Sequence, residues 1–67
     1  MMPGETELEM VRRHVCRGLV HVSRQHEIIA KLRKANHPTQ LAEAVLLTLQ
    51  SVQAEHEFHL KRLLRLT

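Results

Sequence analysis

The residues with the most chemistry to offer are the histidines, six in a chain of 67. His56 and His59 stand three apart, so on a helix their rings project from one side. His14 and His21 stand one heptad apart in the first half of the chain. A chain folded back on itself near residue 37 would set His56 beside Gly18 and Leu19, and His59 beside Val15 and Cys16, with His14 and His21 flanking them. A small residue opposite a large polar one suggests that Gly18 makes room for an imidazole. Neutral imidazole is a common ligand of zinc and other transition metals. His56, His59, His14 and His21 are therefore the candidate metal ligands, with Glu55 and Glu57 close enough to join. The spacing is not that of carboxylate-bridged bundles, which use matched Glu-x-x-His pairs. Here Glu55-His56-Glu57-Phe58-His59 supplies His-x-x-His. The preferred reading is that backbone and glutamates satisfy these rings at the wet end of a helical bundle, with no cofactor. A metal site is the first alternative, and a pH-sensitive interface the second.

Little else points to catalysis. Cys16 is the only cysteine, so no internal disulfide forms, and a lone thiol suits a reducing compartment. It is expected to be a small buried residue. Cys16 and His59 are a conceivable nucleophile and base, but a cysteine packed in a helix seam is usually inert. There is no Ser/His/Asp set, phosphate-binding glycine loop or Cys-x-x-Cys pair, and the expectation is a protein that is not an enzyme. Phe58 is the sole aromatic residue, which removes the stacking platforms of single-strand binders and the aromatic lining of most small-molecule pockets. Arg13, Arg17, Arg24 and Lys31 line one helix face. As a nucleic-acid footprint they would hold phosphates without reading bases. With a net charge of +3, an ordinary solvated face is preferred, and nucleic-acid binding is kept as an alternative.

The elements that must position these residues are two long helices. Thr6 is a plausible N-cap with Glu7 and Glu9 at the positive end of the dipole, after a frayed start carrying Pro3 and Gly4. From there Leu8, Val11, Val15, Gly18, Val22, Gln25, Ile29 and Leu32 alternate in steps of three and four, a heptad seam widened by Leu19 and Ile28. Gln25 is polar where the seam wants a hydrophobe, which suits a register-setting role, pairing with its symmetry mate, Arg24 or His26. Lys31, Arg33 and Lys34 favour the negative end of the dipole. Asn36 tolerates the left-handed conformation that ends helices, and Pro38 cannot continue one. The next helix is capped by His37 or, starting later, by Thr39.

The second helix carries two apolar faces. Ala42, Val45, Leu49, Val52, His56, His59, Leu63 and Leu66 form a seam for the first helix. Almost opposite lie Ala44, Leu47, Ser51, Ala54 and Phe58. One neighbouring helix covers one face, so the second asks for another molecule. The fold is expected to be all-α: a single domain over 1–67, an antiparallel two-helix hairpin of about 6–35 and 38–66, dimerising into a four-helix bundle.

The run His21-Val-Ser-Arg-Gln-His-Glu-Ile-Ile29, then Leu41-Ala-Glu-Ala-Val-Leu-Leu-Thr-Leu49 and Gln53-Ala-Glu-His56, resembles a group of small bacterial two-helix proteins of unknown function. The similarity covers about residues 11–66. It implies a bacterial origin and a helical hairpin, and it supplies no activity. His26-Glu27 invites comparison with histidine-kinase dimerisation helices. Those place a proline soon after the pair and require an ATP-binding domain, and neither is present here. A core this small seldom supplies more than about 3–5 kcal/mol by itself, and chains below roughly 70–80 residues usually add a partner, a metal or disulfides. With an acidic N-terminus unlike a signal peptide and no long apolar run, the expectation is a cytoplasmic protein. It would be a non-catalytic interaction or regulatory module that forms a homo-oligomer, most simply a dimer.

Overall fold

The computed structural model describes residues 4–66, so the expected fraying of the first residues falls largely outside it. Two helices make up the fold, α1 (Glu7–Lys34) and α2 (Gln40–Arg65), packed against each other as a hairpin. Thr6 caps α1 as expected: its hydroxyl oxygen accepts the Glu9 N–H at 3.1 Å and its O–H donates to Glu9 Oε1 at 3.0 Å. That is a near relative of the capping box, in which residue N3 returns the bond to the cap. At the other end Asn36 adopts φ of 59°, the left-handed conformation predicted for it. The Asn36 N–H donates to the Arg33 carbonyl at 3.1 Å and the His37 N–H to the Leu32 carbonyl at 2.9 Å. Those two bonds make a Schellman motif, which satisfies carbonyls the helix end would leave open. The second helix starts at Gln40 rather than at Pro38. Thr39 is its N-cap, and no side-chain cap bond forms there.

All eight seam residues predicted in α1 are buried or half-buried. The seam of α2 is rotated from the expected one. Ala42, Leu49, His56, His59 and Leu63 face inward as predicted, but Val45 and Val52 are 42% and 43% exposed and Leu66 is exposed as well. Leu46, Gln53 and Leu60 take their places. Both rows share Ala42, Leu49, His56 and Leu63, so apolar periodicity fits either. Hydrogen bonding decides between them. Gln53 Nε2 donates to the Val15 carbonyl across the hairpin at 2.9 Å and to Glu57 Oε1 at 3.3 Å. Gln25 mirrors it from α1, donating to the Ala42 carbonyl at 2.8 Å rather than pairing with Arg24 or His26. Each helix thus reaches the other's backbone with one buried amide, and a buried amide that finds one geometry fixes register.

Gly18 serves this arrangement rather than an imidazole. A Cβ built on it would lie 1.6 Å from Gln53 Oε1 and 2.6 Å from Gln53 Cδ. The absent side chain is the space that the Gln53 amide occupies. Gln53 Oε1 is buried and takes no hydrogen bond among the described residues, so its amide is held by its NH2 side alone.

The hairpin is one helix thick, 52 × 27 × 13 Å. Its radius of gyration is 15.8 Å, whereas a compact domain of this length would have about 11 Å. Among the described residues only Val11 and Ile29 are buried hydrophobic side chains, while eleven large hydrophobic ones are exposed. A single layer of two helices offers each residue one neighbour, which is too little to enclose a core.

Candidate functional site

The helix pairing brings His14 and His56 together, both half-buried, with ring centroids 5.0 Å apart and planes tilted by 50°. They line an open cleft of about 220 Å³ with Arg17, Gly18, His21, Leu49, Val52 and Gln53. The cleft owes its form to the rotation of α2. Gln53 turned inward leaves Val52 on the rim, and Gly18 leaves the floor low.

His59 is elsewhere. It lies 3.1 Å from Glu7 Oε1, near the start of α1, not beside Val15 and Cys16. His56 meets His14 as its nearest ring partner, while sharing the cleft with Gly18. The pairing is displaced by about one to two helical turns from a fold centred on residue 37, and the Gln25 and Gln53 bonds hold it there. Three of the four candidate ligands, His14, His21 and His56, therefore line one cleft, and the fourth pairs with a carboxylate. Among the described residues no group of three or more His, Cys, Asp or Glu side chains is arranged to hold a metal ion. Glu57 is occupied with Gln53, and Glu55 is exposed on the outside of α2.

Cys16 is exposed, contrary to the buried position expected of it, because it falls on the side of α1 away from α2. Arg13, Arg17, Arg24 and Lys31 are all exposed as the solvated face predicted. Arg13 is not free for an outside partner: its Nε and an Nη donate to the two oxygens of Glu5 at 2.9 and 2.7 Å. That bidentate bond is the main reason the Glu5 carboxyl is held below its ordinary pKa; it outweighs the opposing cost of desolvation, and the charges of Arg13, His14 and Arg17 add to it. The same bond raises the Arg13 guanidinium.

On the far side of α2, Ala44, Leu47, Ser51, Ala54 and Phe58 are all exposed, Leu47 by 66% and Phe58 by 63%. No helix of the described residues is long and apolar enough to cross a membrane.

Gln53 is the residue that sequence reasoning missed. A pointer to it existed: the row Ala42, Leu46, Leu49, Gln53, His56, Leu60, Leu63 also alternates in fours and threes, and Gln25 shows that this hairpin tolerates a seam amide. No known protein family, curated protein or solved structure matches the chain.

Proposed function

We propose that this chain is a non-catalytic interaction module that works as a homodimer, two hairpins pairing into a four-helix bundle through the outer face of α2. The observation that carries the reading is surface area. The isolated hairpin exposes 5664 Å², against about 4,400 Å² for a compact monomer of its mass. The excess, on the order of 1,300 Å² per chain, exceeds the roughly 800 Å² per partner that a standard interface buries and reaches the range of obligate dimers. Leu47 and Phe58 are the anchors, and the small Ala44, Ser51 and Ala54 between them let a second helix approach closely. A lone cysteine suits a reducing, cytoplasmic setting.

Zinc or another transition metal at the histidines has one close ring pair in its favour, His14 with His56. Nucleic-acid binding loses Arg13 to Glu5 and rests on three exposed cations.

The test is sedimentation equilibrium over a wide protein concentration range, with and without a chelator. A dimer insensitive to chelator is expected, and Leu47→Asp or Phe58→Asp should weaken it at least a hundredfold, since a buried unpaired carboxylate costs several kcal/mol. Variants that remain stable dimers would remove the outer face from the argument. A dimer that dissociates with chelator would return the histidines to its centre.

A further inference from the structure

The cleft between α1 and α2 has a lining that the outer face of α2 leaves free, since none of Ala44, Leu47, Ser51, Ala54 or Phe58 borders it. His14, Arg17 and His21 stand on its α1 side and His56 on its α2 side, while Leu49 and Val52 supply an apolar wall. Among the described residues no carboxylate lines it. Three acids near it hold side-chain bonds of their own: Glu5 with Arg13, where the His14 and Arg17 charges also act on it, Glu7 with His59, and Glu57 with Gln53 in the cleft wall. The side-chain nitrogens of His14, Arg17, His21 and His56 make no hydrogen bond among the described residues.

That is a donor-rich recess with no carboxylate in its lining, and its one buried acceptor without a hydrogen bond among the described residues is Gln53 Oε1. A guanidinium brings a permanent charge and five N–H groups in a planar fork suited to a carboxylate, and every imidazole carries at least one N–H in either tautomer. A cation entering the cleft would meet the Arg17 charge. A bare, strongly hydrated anion would gain nothing from Leu49 and Val52, whereas an acid with an apolar body uses both halves. A volume of about 220 Å³ corresponds to about seven water molecules, the scale of a small organic acid. We infer that this cleft binds a small organic carboxylate, its head on Arg17 and the flanking imidazoles and its short apolar body against Leu49 and Val52.

The inference is independent of dimerisation through the outer face and is tested on the full chain by nuclear magnetic resonance. Hexanoate, inorganic phosphate and hexan-1-ol are titrated separately at constant ionic strength, following backbone amides and histidine rings. Saturable shifts with hexanoate, confined to the cleft and to the rings of His14, His21 and His56, are expected, with phosphate and hexan-1-ol at least tenfold weaker. Arg17→Ala, a substitution at an exposed position, should weaken hexanoate about tenfold or more, the usual worth of a charged hydrogen bond, while circular dichroism stays unchanged. Arg24→Ala, exposed and outside the cleft, should bind as the parent does. The inference is overturned by the absence of saturation, by phosphate or hexan-1-ol binding as tightly as hexanoate, or by an Arg17→Ala response equal to the parent's. It is overturned equally if zinc saturates the same rings at one ion per chain while hexanoate does not.

Discussion

Replacing Gly18 with alanine separates two effects of opposite sign, and the structure says which wins. Alanine in a helix interior is favoured over glycine by about 1 kcal/mol, so an open site would gain that much. At Gly18 the new Cβ would fall 1.6 Å from Gln53 Oε1 and 3.3 Å from Nε2. Rotating the amide exchanges one clash for the other. The Gln53 side chain must therefore leave, which abandons its bond to the Val15 carbonyl and displaces a side chain that is only 6% exposed. Overpacking and loss of a buried hydrogen bond cost about 1–3 kcal/mol. Gly18→Ala is expected to destabilise by about 1 kcal/mol net, a fall of roughly 4–8 °C in melting temperature for a domain of this size. In a Gln53→Ala background the clash is gone, and the same substitution should stabilise by about 1 kcal/mol. The assay is urea unfolding of the four proteins at one fixed protomer concentration, because dimerisation would couple stability to concentration. A coupling energy of about 2 kcal/mol with reversal of sign is the expected result. If Gly18→Ala stabilises both backgrounds equally, Gln53 does not occupy the space above Gly18 and the rotated packing of α2 is wrong.

Gln25→Leu should be neutral or stabilising by up to about 1 kcal/mol, because the Ala42 carbonyl keeps its own helical partner when the amide is removed, whereas Gln25→Ala should cost about 1–2 kcal/mol. Urea midpoints distinguish the two, and a leucine variant weaker than the alanine one would contradict this. Lowered Glu5 pKa in the folded chain implies that the Glu5–Arg13 pair stabilises above the ordinary carboxylate value of 4.5 and that this contribution is lost as pH falls through the folded value. Thermal melts from pH 6 to pH 3 should therefore show the parent losing more stability than Glu5→Gln, by a small margin because the pair is exposed. Parallel pH curves would place no linkage at Glu5.

The hairpin itself was legible because it is written in redundant signals. Eight seam residues of α1, the Thr6 cap, the Asn36 turn and the basic last turn each point to the same helix end or face. The orientation of α2 was not legible from periodicity, since its apolar residues populate two overlapping heptad rows. The deciding residue is a glutamine, and polar residues are assigned to solvent unless a partner is known. The partner is a backbone carbonyl, Val15, which leaves no mark on the sequence beyond the glycine three positions later. The same shift in register, about one turn at His56 and about two at His59, joined His56 to His14 and moved His59 from Cys16 to Glu7. An error small in the backbone redistributes every cross-helix pair.

The two glutamines also bear on what α2 presents outward. An apolar residue at position 53 would pack against α1 with little preference over Val52, and α2 could roll between its two rows at small cost. Gln53 removes that freedom, because only one orientation places its amide on the Val15 carbonyl. Fixing the inner row fixes the outer one: Leu47 and Phe58 point away from α1, and Val52 is left on the rim of the cleft with Leu49. A seam made wholly of leucine and valine would bury more apolar area but would not choose between these faces. In a chain whose own core encloses two hydrophobic side chains among the described residues, a proposed dimer would gain more from one defined outer face than from a marginal gain in burial. If the outer face is the proposed dimer interface, the buried amides are part of its specification, acting from the opposite side of the helix.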